Sequence, residues 1–157
     1  MRRSLEIQSV VFAARNASRA GLAAIEATLQ AMRDAAQEFK DAENPEVAEL
    51  KFHRADVGFH EAMALAGGNR VLTYLFEGME SSLLEAFAAS HRGQRLRGQT
   101  LQDSVDSHSQ IFEAVSAGEE KRAADSMSAL LDHAESNLLA AYGNSFREKA
   151  PNSSEYR

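Results

Sequence analysis

The chain contains no cysteine, only two prolines and no long apolar segment. The absence of cysteine excludes disulfide scaffolds, thiolate metal sites and cysteine nucleophiles, and it fits a reducing compartment. No apolar run approaches the roughly 20 residues of a membrane span, and the N-terminal residues lack the apolar stretch of a secretion signal. We therefore expect a cytoplasmic protein that does not associate with a membrane.

The chain also lacks an excess of basic residues. Its formal net charge is −6 at pH 7, whereas a domain that binds nucleic acid needs a basic face for its phosphate contacts. A length of 157 residues with 44% hydrophobic and 25% charged residues is typical of one soluble globular domain. Direct binding of this chain to DNA is therefore not expected.

Helical periodicity dominates the sequence, and no segment has a convincing strand pattern. The predicted helices span residues 3–18, 20–40, 45–65, 69–89, 99–117 and 119–142. Asn44-Pro45 and Asn69 are start signals, and Gly67-Gly68 and Gly118 are stop signals. Whether the first two segments are two helices or one kinked helix stays open. We predict an all-α fold, an antiparallel bundle of six to seven helices.

Two segments are predicted to lie outside the helices. Residues 91–98 are basic and contain two glycines, which is typical of a linker. Residues 143–157 are polar, and we predict a disordered tail there, after a single domain of residues 1–142. No internal repeat and no low-complexity segment is evident in the sequence.

The third predicted helix carries two ionisable residues on an apolar face. The spacing i, i+4, i+7, i+8, i+11 places five residues on the face that a helix buries: Phe52, Asp56, Phe59, His60 and Met63. An ionised aspartate inside a core costs several kcal/mol unless it is paired or binds a metal. Asp56 therefore requires a partner, and His60 lies one helical turn away.

The fifth predicted helix shows the same anomaly, because His108 lies between Val105 and Phe112 on an apolar stripe. A lone core histidine is usually structural. Two histidines and an aspartate on core-facing stripes, however, supply three nitrogen and oxygen ligands, a set that suits zinc, nickel or manganese. From the residues alone, a divalent-metal site and a carboxylate–imidazole hydrogen-bond network both stay open.

The other histidines give weaker signals. His53 lies at the edge of its stripe and is predicted to be a surface residue or to stand behind the ligands. His91 ends the fourth predicted helix, where a cation suits the helix dipole. His133, at the margin of the last helix, could turn inward as a fourth ligand or face water. The sequence has no Gly-rich phosphate loop, nucleophile elbow or His-Glu-x-x-His pair.

These residues lie within motifs that resemble a known family. The motifs are Arg2-Arg3-Ser4-Leu5-Glu6, Asp56-x-x-Phe59-His60, Ala66-Gly67-Gly68-Asn69-x-x-Leu72 and His108-x-x-Ile111-Phe112-x-Ala114-Val115-x-x-Gly118. Their order and spacing over residues 2–140 resemble the FCD domain. That domain is the C-terminal, ligand-sensing part of the FadR subfamily of GntR-type bacterial transcription regulators.

The resemblance implies an all-helical bundle whose central cavity binds a small carboxylate metabolite. In many members of the family a divalent metal is held there by one aspartate and three histidines. Asp56, His60 and His108 match the first three of these ligands. The fourth would fall at position 130, where this chain has Leu130, and the nearest histidine is His133.

The resemblance also implies partners. Arg2 occupies the position of an arginine in the family's first helix, so it is the candidate for binding an anionic effector. Family members form homodimers and bind DNA through an N-terminal winged helix-turn-helix. This chain begins where the sensor domain begins, so contact with DNA is expected only through such a domain, which is absent from this chain. The leading interpretation is a non-enzymatic effector-binding and dimerisation domain of a GntR-type regulator.

Two alternatives remain. The same three candidate ligands could serve a metal-dependent enzyme with open coordination positions, although the near neighbours His53 and Glu61 both lie off the core stripe. The chain could also be a metal-free helical dimerisation module, in which Asp56, His60 and His108 hydrogen-bond to one another.

Overall fold

The computed structural model describes residues 2–148, and within that range it contains six α-helices and no β-strand. The helices are α1 (Arg2–Asn16), α2 (Arg19–Asp41), α3 (Pro45–Ala66), α4 (Arg70–Leu96), α5 (Leu101–Ser116) and α6 (Glu120–Glu148). Two to four residues connect successive helices, as in helix bundles. The predicted all-α fold is confirmed. None of the described helices combines the length and hydropathy that crossing a membrane requires.

Capping residues explain where several helices begin. Asn44 accepts a hydrogen bond from the backbone amide two residues later, and Pro45 is the first residue of α3. Asn69 caps α4 in the same way. At the start of α5, Thr100 and Asp103 accept hydrogen bonds from each other's backbone amides, which forms a capping box. The predicted starts at Asn44 and Asn69 are confirmed.

The first two predicted segments are separate helices. α1 ends at Asn16, and Ser18 caps α2 by accepting a hydrogen bond from the Gly21 amide at 3.1 Å. The last helix is longer than predicted, because α6 continues to Glu148 instead of ending at residue 142. The rest of the predicted tail, residues 149–157, lies outside the described residues.

The predicted linker at residues 91–98 is wrong for most of its length. α4 continues as a helix to Leu96, and the chain turns only at Gly98, whose φ of 75° lies in the left-handed region that favours glycine. Gly93 does not break α4 but brings it against α6. A Cβ atom at Gly93 would lie 1.7 Å from the carbonyl oxygen of Asn137, so only glycine allows this contact between two helix backbones.

α3 contributes to two apolar clusters and thereby connects most of the bundle. The larger cluster packs α3 with α1, α2, α5 and α6, and the smaller one packs it with α4. All five residues of the predicted α3 stripe are buried, so that prediction is confirmed. Asp56 and His60 therefore lie on a helix that has buried residues in both apolar clusters.

Candidate metal centre

Three side chains predicted as ligands converge in the interior of the bundle. Asp56 and His60 lie one turn apart on α3, and His108 reaches them from α5. All three are buried. Asp56 Oδ1 lies 3.0 Å from His108 Nε2 and 3.4 Å from His60 Nε2, and the two Nε2 atoms lie 3.4 Å apart. We call these three atoms the ligand triangle.

The size of the ligand triangle fits one divalent cation. Ligand atoms about 2.1 Å from an ion are separated by about 3.0 Å at octahedral right angles and by about 3.4 Å at tetrahedral angles. Asp56 Oδ1 has no hydrogen-bond partner among the described residues, although two imidazole nitrogens are close to it. This buried carboxylate oxygen and the two imidazole nitrogens that face it together form a donor set that zinc, nickel or manganese can use. The residues present therefore fit a metal.

Glu6 of α1 orients the first imidazole. It is fully buried, and its Oε2 lies 2.7 Å from His60 Nδ1. A carboxylate there favours the tautomer with the proton on Nδ1 and leaves Nε2 free for a metal. Sequence reasoning missed Glu6 as a site residue. A signal existed, because Glu6 shares its buried face with Val10 and Ala13 at helical spacing, as Asp56 does with the α3 stripe.

The other two candidate ligands are oriented in a similar way. His108 Nδ1 donates a hydrogen bond to the Ser104 carbonyl oxygen at 2.8 Å, which leaves its Nε2 facing the triangle. Asp56 turns its second oxygen, Oδ2, toward His91 Nε2 at 3.4 Å. His91 belongs to α4. Four helices, α1, α3, α4 and α5, therefore build the centre.

Two histidines lie deeper than the sequence predicts. His91 is not an exposed cation at a helix end: it is buried, and burial lowers its pKa to about 4, so it is neutral at pH 7. His53 is 6% exposed and stacks on His91 with ring centroids 4.9 Å apart. Burial lowers the pKa of His53 as well. The surface alternative for His53 is wrong, and its ring supports His91 from behind.

The buried charges of the centre hold each other in their charged forms. Burial by itself would raise the pKa of Glu6 and lower that of His60. For Glu6, contact with His60 and Arg2 outweighs burial and lowers its pKa to about 2. For His60, contact with Glu6 and Asp56 outweighs burial and raises its pKa to about 9. The pKa of Asp56 lies well below its usual value, since the facing imidazoles outweigh its burial. The carboxylates of Glu6 and Asp56 thus favour a positive charge on the group that lies between them.

A cavity of about 270 Å³ adjoins the ligand triangle. At roughly 30 Å³ per water molecule, it has room for about nine waters. Its wall is mostly polar, and only Phe87, Leu130 and Ala134 contribute apolar side chains. The exposed residues Asp106 and Gln110 mark its opening. The cavity therefore leads from the surface to the buried centre.

Three further candidates line this cavity without joining the triangle. Leu130 and His133 both line it from α6, but His133 is exposed and lies outside the group of ligand atoms within 4.8 Å of one another. Arg2 pairs through Nε with Glu6, and its guanidinium carbon lies 4.5 Å from the centre of the Phe87 ring. The structure thus brings Asp56, His60 and His108 together and leaves His133 apart.

The fold and the centre define a class of protein, an all-helical bundle with a buried carboxylate–histidine centre beside a polar cavity. Residues 1–133 match the family model of the FCD domain, and the chain belongs to this family. FCD domains are found in GntR-type regulatory proteins, which suggests an effector-binding domain. No curated protein matches the chain.

Proposed function

We propose that this chain is the effector-sensing domain of a GntR-type transcription regulator and that Asp56, His60 and His108 hold a divalent metal. The observation that carries the proposal is the ligand triangle, whose sides of 3.0 to 3.4 Å fit one ion. The remaining polar atom of each side chain faces another protein group at 2.7 to 3.4 Å, as is usual around metal ligands. Zinc, nickel and manganese all suit this donor set.

The effector in this proposal is a small organic acid. Arg2 places its guanidinium at the cavity wall beside Phe87, and its terminal nitrogens have no partner among the described residues. A guanidinium binds a carboxylate through charge-assisted hydrogen bonds, and a bound divalent cation would add positive charge to the same cavity. A volume of about 270 Å³ favours a small acid over a long acyl chain.

Occupation of the cavity would act on the whole bundle. Its wall includes residues of α1, α3, α4, α5 and α6, so a ligand that prefers one arrangement of these helices shifts the population toward it. We propose a cytoplasmic homodimer of the FadR subfamily that influences DNA only through an N-terminal DNA-binding domain outside this chain. We propose no catalytic role for this chain.

Metal analysis of protein purified without chelator tests the centre. We expect about one zinc, nickel or manganese ion per chain, and a melting temperature that falls when a chelator removes it. A ligand that binds only the folded state stabilises it by about 2.7 kcal/mol at a concentration 100 times its Kd. Asp56→Asn should lose the ion. Asp106→Asn is the matched control, because Asp106 lines the same cavity outside the triangle, and it should keep the ion.

The alternatives predict different results. If the wild-type protein contains no metal, and none of the three ions changes its melting temperature, the metal-dependent proposal is wrong and a metal-free dimerisation module is favoured. If candidate acids are turned over and a chelator abolishes the turnover, the metal-dependent enzyme is favoured instead.

A further inference from the structure

A second pocket lies at the surface where α3 and α4 meet, apart from the central cavity. Its volume is about 180 Å³, and it shares no lining residue with the central cavity. Four of its lining residues belong to α3 and two to α4, namely Glu46, Glu49, Leu50, His53, Arg92 and Arg95. We call it the α3–α4 pocket. It is a separate candidate site, and the ligand triangle does not account for it.

The buried side of the α3–α4 pocket contains His53. The side chain of His53 is 8% exposed, and its Nε2 atom has no hydrogen-bond partner among the residues that the structure describes. A buried polar atom without a partner is unfavourable. Burial lowers the pKa of His53 below its ordinary value, so the ring is neutral at pH 7 and keeps a lone pair on one nitrogen. A neutral imidazole is the commonest metal ligand in proteins.

Two carboxylates lie on the same face of α3 as His53. Glu46, Glu49 and His53 have the spacing i, i+3, i+7, which aligns side chains along one face of a helix. Glu49 Oε1 lies 3.7 Å from His53 Nε2. Two ligand atoms of one zinc ion are about 3.0 to 3.4 Å apart, so a small rotation brings this pair to one ion. Glu46 is exposed, and its carboxylate has no partner in the described part of the chain, so it is free to turn toward the same ion.

The two arginines of the α3–α4 pocket act differently on a bound cation. Arg95 donates through Nη1 to Glu49 Oε1, so it holds this carboxylate in place, as groups behind metal ligands commonly do. Arg92 is exposed and has no partner within residues 2–148, and its charge opposes a cation. An anion would gain from Arg92, but at His53 Nε2 it would lie beside the Glu49 carboxylate and a neutral ring. The atoms nearest the unpartnered nitrogen therefore favour a cation.

We propose that His53 and Glu49, joined by Glu46, bind a divalent transition-metal ion such as Zn²⁺ in the α3–α4 pocket. One imidazole with carboxylates is a donor set that Zn²⁺ uses, and water completes the coordination. The site goes beyond the proposed function and does not depend on the ligand triangle. It is more exposed than the triangle and is opposed by Arg92, so it should bind more weakly and fill only when Zn²⁺ is added.

Calorimetric titration with Zn²⁺ tests the α3–α4 pocket in the full chain. The variant Asp56→Asn disables the ligand triangle and isolates the second site, where we expect one Zn²⁺ per chain. Adding Glu49→Gln should weaken its binding at least about tenfold. Glu38→Gln is the matched control, because it also removes an exposed ion pair, with Lys51, but lies outside the pocket. Its Zn²⁺ affinity should be unchanged.

The charge of Arg92 distinguishes a cation site from an anion site. Arg92→Gln removes a like charge, so it should tighten Zn²⁺ binding about threefold at low salt, and added salt should reduce this gain. Inorganic phosphate is the opposite probe. If phosphate binds and Arg92→Gln abolishes that binding, while Zn²⁺ affinity does not respond to Glu49→Gln, the pocket is an anion site and the inference is overturned.

NMR of the histidine ring nitrogens gives a test in the wild-type protein, without any substitution. Zn²⁺ should shift the Nε2 signal of His53, and the signals of His60 and His108 report the ligand triangle separately. An unshifted His53 signal at Zn²⁺ concentrations up to about 1 mM, or equal Zn²⁺ affinity with and without Glu49→Gln, would overturn the inference. Failure of the proposed metal centre looks different, because His60 and His108 would stay unshifted while His53 still responds.

Discussion

Glu6 is a fully buried carboxylate beside the candidate metal centre. Its buried carboxylate faces His60 on one side and Arg2 on the other, and so links the candidate metal centre to the candidate anion-binding residue. Asp56, His60 and His108 could be predicted from the sequence because each interrupts an apolar stripe. Glu6 carries the same signal more weakly, since hydrophobic periodicity in α1 is less pronounced.

Replacement of Glu6 by glutamine should weaken metal binding. Glu6→Gln keeps the shape of the side chain but removes the charge that favours the Nδ1 proton of His60, so we expect metal affinity to fall about 10- to 100-fold. The metal-free protein should lose roughly 1–3 kcal/mol of stability, because a buried imidazole loses its charged partner. Metal titration and urea unfolding measure the two effects. Glu120→Gln, at an exposed ion pair with Arg15, should leave metal affinity unchanged; an unchanged affinity in Glu6→Gln itself would show that Glu6 does not orient His60.

At the scale of helices, α4 shows why part of the fold could not be predicted. Its first half buries Leu72 and Phe76 in an apolar cluster, whereas its second half turns Ser90, His91 and Gln94 toward the polar cavity. A helix whose inward face is polar has no apolar period, so residues 91–96 resembled a linker. The starts of α3 and α4 were predictable, by contrast, because capping depends only on neighbouring residues.

The contact between α4 and α6 can be tested by replacing glycine with alanine at two positions of α4, one at the contact and one away from it. Gly93→Ala would put a Cβ atom 1.7 Å from a backbone oxygen of α6, and we expect a loss of about 3 kcal/mol or more. Gly78→Ala meets no atom within 4 Å, and it should gain about 0.5–1 kcal/mol, since alanine favours the helix. Urea unfolding curves of both variants provide the comparison. Equal effects would mean that α4 and α6 do not meet at Gly93.

The packing of α3 against α4 also predicts a pH effect. The pKa of Glu61 is raised by its partial burial and by Glu80 and Glu77 of α4. A carboxyl group whose pKa is higher in the folded state than in the unfolded state destabilises the protein when the pH is above the folded-state pKa. When the pH is below the unfolded-state pKa, the group is protonated in both states and has no effect on stability. Glu61→Gln should therefore be more stable than wild type at pH 7, by less than about 1 kcal/mol after screening, and the difference should vanish below about pH 4. Thermal melts across pH test this; a difference that persists at low pH would exclude the electrostatic cause.

At the scale of the whole molecule, charge predicts what this chain does not bind. With a net charge of −6, it should show no saturable binding to duplex DNA at protein concentrations up to about 100 µM, even at about 50 mM salt, where phosphate contacts are strongest. Fluorescence anisotropy of a labelled duplex measures this. Saturable binding that weakens steeply with added salt would show that the bundle has a basic face strong enough to override its total charge.

The distribution of the centre over four helices has a consequence for the order in which the protein assembles. Asp56 and His60 are neighbours as soon as α3 forms, but His60 and His108 are 48 residues apart in the chain. Glu6 and His91 come from still other helices. Long chain segments must therefore close before the ligand triangle exists. Of the three candidate ligands, only Asp56 and His60 are close together in the unfolded chain. Capture of a metal by all three candidate ligands would be a late event in folding, and a bound ion would report that His108 of α5 has reached α3.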